Sequence, residues 1–283
     1  VFRYLISCII ALIFIGGIWL SYEQKEELSS FLPTTVKQKQ VLTFATHFSS
    51  DDILKANQHE LLPSSEYCLQ RASLLYFPYV LFDAKSSHTE NATEDSRLIF
   101  SLENAELVLD TSTFETSHGF EDCLNAKATS DDFRILLALE KNGGSMSKEA
   151  LAKELGLDFD HFMHELDILR KKQLIVTKGD SVRIHLEHPR LKVAPRTIIA
   201  SPLVTKTIER KNIFDASYSK GAIRKLAKAA FGKDFTIKKE QEIYIPFYEI
   251  CIKNPDDSIH KTYWNALTGK KLEWVYKYHK SIL

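Results

Sequence analysis

The chain has 283 residues, with 37 Lys and Arg balancing 37 Asp and Glu, 44% hydrophobic residues and 26% charged ones. That length allows two or three small domains, and the composition is that of ordinary globular material rather than any compositional extreme. The zero formal net charge hides an asymmetry. From Val41 to Ser130 there are 14 acidic residues against 5 basic, and from Thr197 to Leu283 there are 16 basic against 9 acidic. The two ends of the chain therefore carry opposite fields, which either face one another or face different partners.

The first element in chain order is apolar. Tyr4 to Leu20, "YLISCIIALIFIGGIWL", has no charged side chain, and its roughly 17 residues would span about 26 Å as a helix, close to the thickness of a bilayer core. Trp19 and Tyr22 stand where interfacial aromatics anchor one end, and Tyr4 stands at the other. A cleaved signal peptide is the competing reading, but no small-x-small site follows the run. The expectation is a single-pass transmembrane helix over 4–22, with membrane lipid as its partner and the C-terminal bulk exported, followed by a polar linker over 23–40.

Next comes a segment that the chain repeats. "LLYFPYVLFDAK" from Leu74 to Lys85 is echoed by "EIYIPFYEICIK" from Glu242 to Lys253, with Tyr76 or Tyr244 two residues before Pro78 or Pro246. Both copies alternate as half-buried strands do, both are followed by a second strand, and both have a helical segment upstream, around Ile53 and around Ile223. A helix feeding a hairpin sheet, present twice, predicts a duplication: one module over 41–127 and another over 193–283. The stretch from Ser217 to Trp274, with its "NALTGK" turn in which Gly269 can take positive φ, is similar to the PepSY and half-cystatin pattern of one helix across an antiparallel sheet. The first copy departs from it, having Asn104 and Ala105 where Thr268 and Gly269 stand. The resemblance implies non-catalytic binding or inhibitory modules in an envelope setting.

Between the copies, 128–192 has a different pattern. Ser130 with Asp131 and Asp132 reads as a helix start, and "NGGS" stops that helix. Ser147 caps a second helix that Gly156 closes, and Phe159, Phe162, Met163, Leu166 and Leu169 form the apolar stripe of a third. "LIVTKGDSVRIHL" reads as a hairpin turning at Lys178 to Ser181. The phrase "SKEALAKELGLDFDHFMHELDILRKKQLIV" resembles the helix-turn-helix and first wing strand of the winged-helix superfamily. In a DNA-binding member the third helix would enter the major groove, yet here it carries Asp158, Asp160, Glu165 and Asp167, with Arg170, Lys171 and Lys172 only at its end. Carboxylates facing phosphates give the electrostatic term the wrong sign, so the pattern favours a protein-interaction or spacer role over nucleic acid.

Catalytic chemistry is not legible. His161 with His164, and His185 with His188, are pairs three residues apart, but the alternation of the wing turns Val182, Ile184 and Leu186 inward and His185 outward, so no metal centre is expected. "SHGFEDC" brings His118, Glu121, Asp122 and Cys123 together, but acidic neighbours raise a thiol pKa rather than activate it. There is no phosphate loop, nucleophile elbow or zinc-protease signature, and no cofactor is implied. Cys68 and Cys123 are a candidate disulfide, against the alternative of buried thiols that include Cys251. Lys220, Arg224, Lys225, Lys228 and Lys233 are candidate contacts for an acidic partner or anionic lipid, against the alternative of a solvated helix face.

Together these readings predict an α+β protein with an N-terminal transmembrane helix and two duplicated helix-on-antiparallel-sheet modules flanking a winged-helix domain. The expected function is that of a membrane-anchored, non-enzymatic interaction or scaffolding protein with an unidentified protein partner. The alternative is a membrane-tethered winged-helix transcriptional regulator.

Overall fold

The computed structural model describes residues 38–89 and 92–272. In chain order the strands are β1 (Gln38–Phe44), β2 (Cys68–Thr89), β3 (Ala92–Ser101), β4 (Leu107–Asp110), β5 (Glu115–Thr116), β6 (Ser145–Ser147), β7 (Ile175–Lys178), β8 (Ser181–Ile184), β9 (Leu203–Glu209), β10 (Phe235–Lys253) and β11 (Ile259–Asn265). Seven α-helices are described: α1 (Ser50–Ala56), α2 (Gln58–Leu61), α3 (Phe120–Asn125), α4 (Ser130–Lys141), α5 (Lys148–Leu155), α6 (Phe159–Lys171) and α7 (Lys220–Phe231). The chain divides into two compact units. Among the described residues the smaller holds 38–40 and 207–211, with a Lys211–Glu209 ion pair at 2.6 Å. The larger holds the rest.

The main sheet has the order β5–β4–β3–β2–β10–β1–β9, with β11 also paired to β10. Its centre is an antiparallel ladder between the two copies of the repeated sequence, in which Tyr76 faces Pro246 and Pro78 faces Tyr244. The echo thus meets itself about a local pseudo-twofold through Phe77 and Ile245. Proline lacks an N–H and is normally excluded from central strands. Both prolines are tolerated because their backbone polar groups point away from the shared ladder: Leu102 N donates to Pro78 O at 3.0 Å and Ala266 N to Pro246 O at 3.0 Å, each on the outer side.

One face of this sheet buries Leu75, Phe77, Tyr79, Ile99, Ile243, Ile245 and Phe247, covered by Phe114, Ile199, Leu203 and Phe214. Phe77 stacks on Phe214 with ring centroids 4.1 Å apart. Thr197 is wedged where β3 and β4 splay: its Oγ1 accepts from Ile99 N at 2.9 Å and donates to Val108 O at 2.6 Å. The other face is covered by helices in exchanged positions. Ile53 and Leu61 of α1 and α2, upstream of the first copy, form a core with Ile250, Ile252 and Trp264 of the second. Ile223, Leu226 and Ala227 of α7, upstream of the second copy, join the core built on Val80, Phe82, Leu98 and Phe100 of the first.

These observations correct the expected fold class. The protein is a mixed α/β structure in which the two copies share one sheet and exchange helices, not two α+β modules standing apart. The physical reason is that strands apolar on both faces need a layer on each side and a partner on each edge, and each copy supplies what the other lacks. The expected transmembrane helix is not part of the fold described: among the described residues no helix is long and apolar enough to cross a membrane. The apolar run Tyr4–Leu20 and the linker after it lie outside the described residues.

The intervening segment places α4, β6, α5, α6, β7 and β8 in succession, with a three-stranded sheet ordered β6–β8–β7. Phe133, Leu136, Leu139, Leu151, Phe162, Leu166, Leu169 and Val182 belong to the same continuous core as β2, β3 and α7. Helix α4 starts one residue earlier than the sequence suggests. Thr129 is the N-cap, in a capping box with Asp132. The opposite fields of the two ends of the chain also meet, through Lys238–Asp95 at 2.8 Å and a Lys271–Glu60 pair.

Candidate functional site

Helix α6 owes its start to Asp158, whose carboxylate accepts from Asp160 N at 3.2 Å and His161 N at 3.5 Å. Phe162, Leu166 and Leu169 bury one side of it. Its C-terminal end is pinned by Lys172, which pairs with Asp132 in the α4 capping box, where that carboxylate is 1% exposed. The helix is therefore fixed in orientation, and its outward side is a defined surface. That side shows Phe159, 47% exposed, and Met163, 37% exposed, one turn apart. Asp160 is exposed beside them, and Asp167 is paired with Arg170 at 2.9 Å. His161 lies on the flank, 3.9 Å from Glu165.

A second feature is a polar cleft of about 550 Å³ between α3 and the end of α6, lined by His118, Asp122, Asn125, Lys172, Gln173, His185 and Glu187 among others. His185 Nδ1 lies 3.1 Å from Gln173 O, and the His118 backbone is paired with that of Arg190. Among the described residues no group of three or more His, Cys, Asp and Glu side chains converges as a metal site requires. Cys123 is buried beside the cleft, and burial, with Asp122, Glu106 and Asp132 nearby, pushes its thiol pKa far up. A thiol held protonated is a poor nucleophile.

Behind the cleft lies Glu106, 6% exposed. It accepts from Ser117 Oγ at 2.5 Å, Gly119 N at 2.9 Å and Glu121 N at 3.3 Å, gathering the donors at the start of α3. Burial raises its carboxyl pKa, against the lowering effect of these hydrogen bonds. A comparable cluster stands at the other end of the sheet, where Arg71 pairs with Glu249 at 2.5 Å and Tyr263 Oη donates to Glu249 at 3.0 Å. Burial would raise the Glu249 pKa, but the bonds from Arg71 and Tyr263 hold it below the usual range. Nothing in the sequence marks Glu106 or Glu249, because each draws its partners from segments brought near only by folding. Asp132 was legible as a helix-start residue, but not as the partner of Lys172.

The basic residues of α7 divide. Lys220 pairs with Glu242 at 3.4 Å, and Arg224 Nε donates to Glu240 at 3.0 Å, so both turn onto β10. Lys225, Lys228 and Lys233 are exposed, the last two at a shallow depression of about 330 Å³ with Ser130, Phe235 and Thr236. Cys68 and Cys123 are both free thiols, the first exposed at the start of β2 and the second buried in α3, and no bond joins them. The expected wing pattern is present: Val182 and Ile184 are buried, while His185 is exposed.

Neither protein-family models, nor curated proteins, nor solved structures give a match to this chain.

Proposed function

We propose that the protein is a non-enzymatic interaction protein working at a membrane, with the outward face of α6 as its contact surface. The segment from α4 to β8 is read as a winged helix turned to protein binding, a reading supported by the order of its helices and strands. One observation carries the proposal: the face that would have to meet DNA phosphates presents Phe159 and Met163 beside Asp160 and Asp167. Burying the part of these two side chains that is still exposed would contribute about 1 kcal/mol each, whereas carboxylates pressed onto phosphates oppose binding. The hydropathy of Tyr4–Leu20 supports the membrane location.

The test uses the full chain with a fluorescent duplex and, in parallel, a photo-crosslinking residue at position 163. Anisotropy is expected to stay flat as salt is lowered, and the crosslinks are expected to be to protein. Tight duplex binding that weakens steeply with added salt would overturn the reading in favour of a DNA-binding regulator.

A further inference from the structure

We infer that the outer edge of β11 is the docking site of the residues that follow Leu272: the segment from Glu273 to Tyr278 adds to that edge as a further antiparallel strand. The start of the pairing is already in place. Asn265 N donates to Lys270 O and Leu272 N to Tyr263 O, both at 2.8 Å, and Trp264 stands opposite Lys271 in an antiparallel bridge. The side chains agree with that register: Lys271 Nζ lies 6.0 Å from the centre of the Trp264 ring, and Leu272 and Tyr263 belong to one core. Continued without a bulge, the same register sets Glu273 opposite Thr262, Trp274 opposite Lys261, Val275 opposite His260 and Tyr276 opposite Ile259.

The edge and the segment suit each other. Ala266 N donates to Pro246 O and Asn254 N to Ser258 O, so the even-numbered positions of β11 bond to β10. Lys261 and Ile259, opposite Cys251 and Lys253, therefore turn their backbone N–H and C=O outward. Among the described residues β10 is the only strand that pairs with β11, and a bare edge of this kind is a template for other chains. Ile259 is 51% exposed there, at the position that Tyr276 would cover. After Leu272 the residues Trp274, Tyr276 and Tyr278 recur at every second position, which is the alternation of a strand with one packed face. Trp274 would lie beside Lys261 much as Trp264 lies beside Lys271, a cation against a ring in each case. The chain thus closes its own sheet edge and keeps it from pairing with other chains.

The test uses the full chain in non-ionic detergent, carrying Cys68→Ser so that the exposed thiol takes no part. Under oxidised glutathione, His260→Cys with Val275→Cys is expected to close into a disulfide within one chain, because residues facing each other in a non-hydrogen-bonded pair lie about 4.5 Å apart at Cα. His260→Cys with Trp274→Cys, whose side chains leave opposite faces of the sheet, is expected to stay open. Hydrogen exchange gives a second readout. In a chain ending at Leu272, the amides of Lys261 and Ile259 should exchange at least about tenfold faster than in the full chain, while those of β2 keep their rates. Circular dichroism checks that each chain folds, and the cysteine pairs, which leave the segment in place, decide alone if the shortened chain does not. A disulfide between positions 260 and 275 that joins two chains would assign the strand to a second copy. Equal closure of both cysteine pairs would mean that no register is held, and equal exchange with and without the segment would mean that it leaves the edge uncovered. Each of these results overturns the inference.

Discussion

Glu106 is a single buried carboxylate on which a hydroxyl and several backbone N–H groups depend. Glu106→Ala would leave those donors buried without an acceptor, and a loss of about 2–4 kcal/mol is expected in urea denaturation. Glu106→Gln keeps an acceptor for the amides, and its effect should depend on pH. Because burial raises the folded-state pKa above the ordinary 4.5, the native state binds more protons than the unfolded chain between the two values. Stability from this group is therefore fully present below about pH 4.5 and falls as pH rises through the folded value. The Gln variant should lose that part of the pH dependence. A wild type and variant with parallel stability–pH curves would show that Glu106 is not the group responsible. Gly269 is a second residue with a definite cost of replacement. Its φ is +68°, and a Cβ there would lie 3.3 Å from the Phe48 ring. Gly269→Ala should cost more than about 1 kcal/mol, seen as a lowered melting temperature, because Ala meets both a disfavoured φ and a ring.

At the scale of elements, what was legible in the sequence was local. The Ser147 cap, the Gly156 stop, the turn between Lys178 and Ser181 and the positive φ of Gly269 each depend on neighbours a few residues away, and the structure has all of them. The exchange of α1 and α7 between the two copies was not legible, since helix-upstream-of-strand reads the same whichever sheet half the helix covers. The basic face of α7 was likewise only half legible: Lys220 and Arg224 look solvent-facing by helical period, but the carboxylates of Glu242 and Glu240 arrive from β10. Helix α6 is the element whose pose matters most for function. Lys172→Met would take the cation from the buried carboxylate of Asp132, leave it only its capping-box bonds to Thr129 and unpin the end of α6, at an expected cost of about 1–3 kcal/mol. Proton exchange in α6 amides should then quicken more than in β2 or β10. Equal quickening throughout would place the effect in global stability instead.

On the scale of the whole molecule, the shared ladder and exchanged helices predict that the larger unit unfolds in one step. Two buried thiols report on opposite ends: Cys123 lies in the core of β2, β3 and α7, and Cys251 on β10 beside Glu249. Both should become reactive toward a thiol reagent at the same denaturant concentration, coincident with loss of circular dichroism. Cys251 exposed well before Cys123 would mean that the two copies melt separately. The same architecture leaves α6 as a rigidly held face with two apolar side chains in solvent, and burial of that face against protein is the central claim. Hydroxyl-radical footprinting of Phe159 and Met163 in the full chain measures that burial directly. Oxidation that falls when membrane-extract protein is added and does not change with added duplex DNA is the expected result. Oxidation that ignores added protein but is suppressed by DNA at low salt would contradict it.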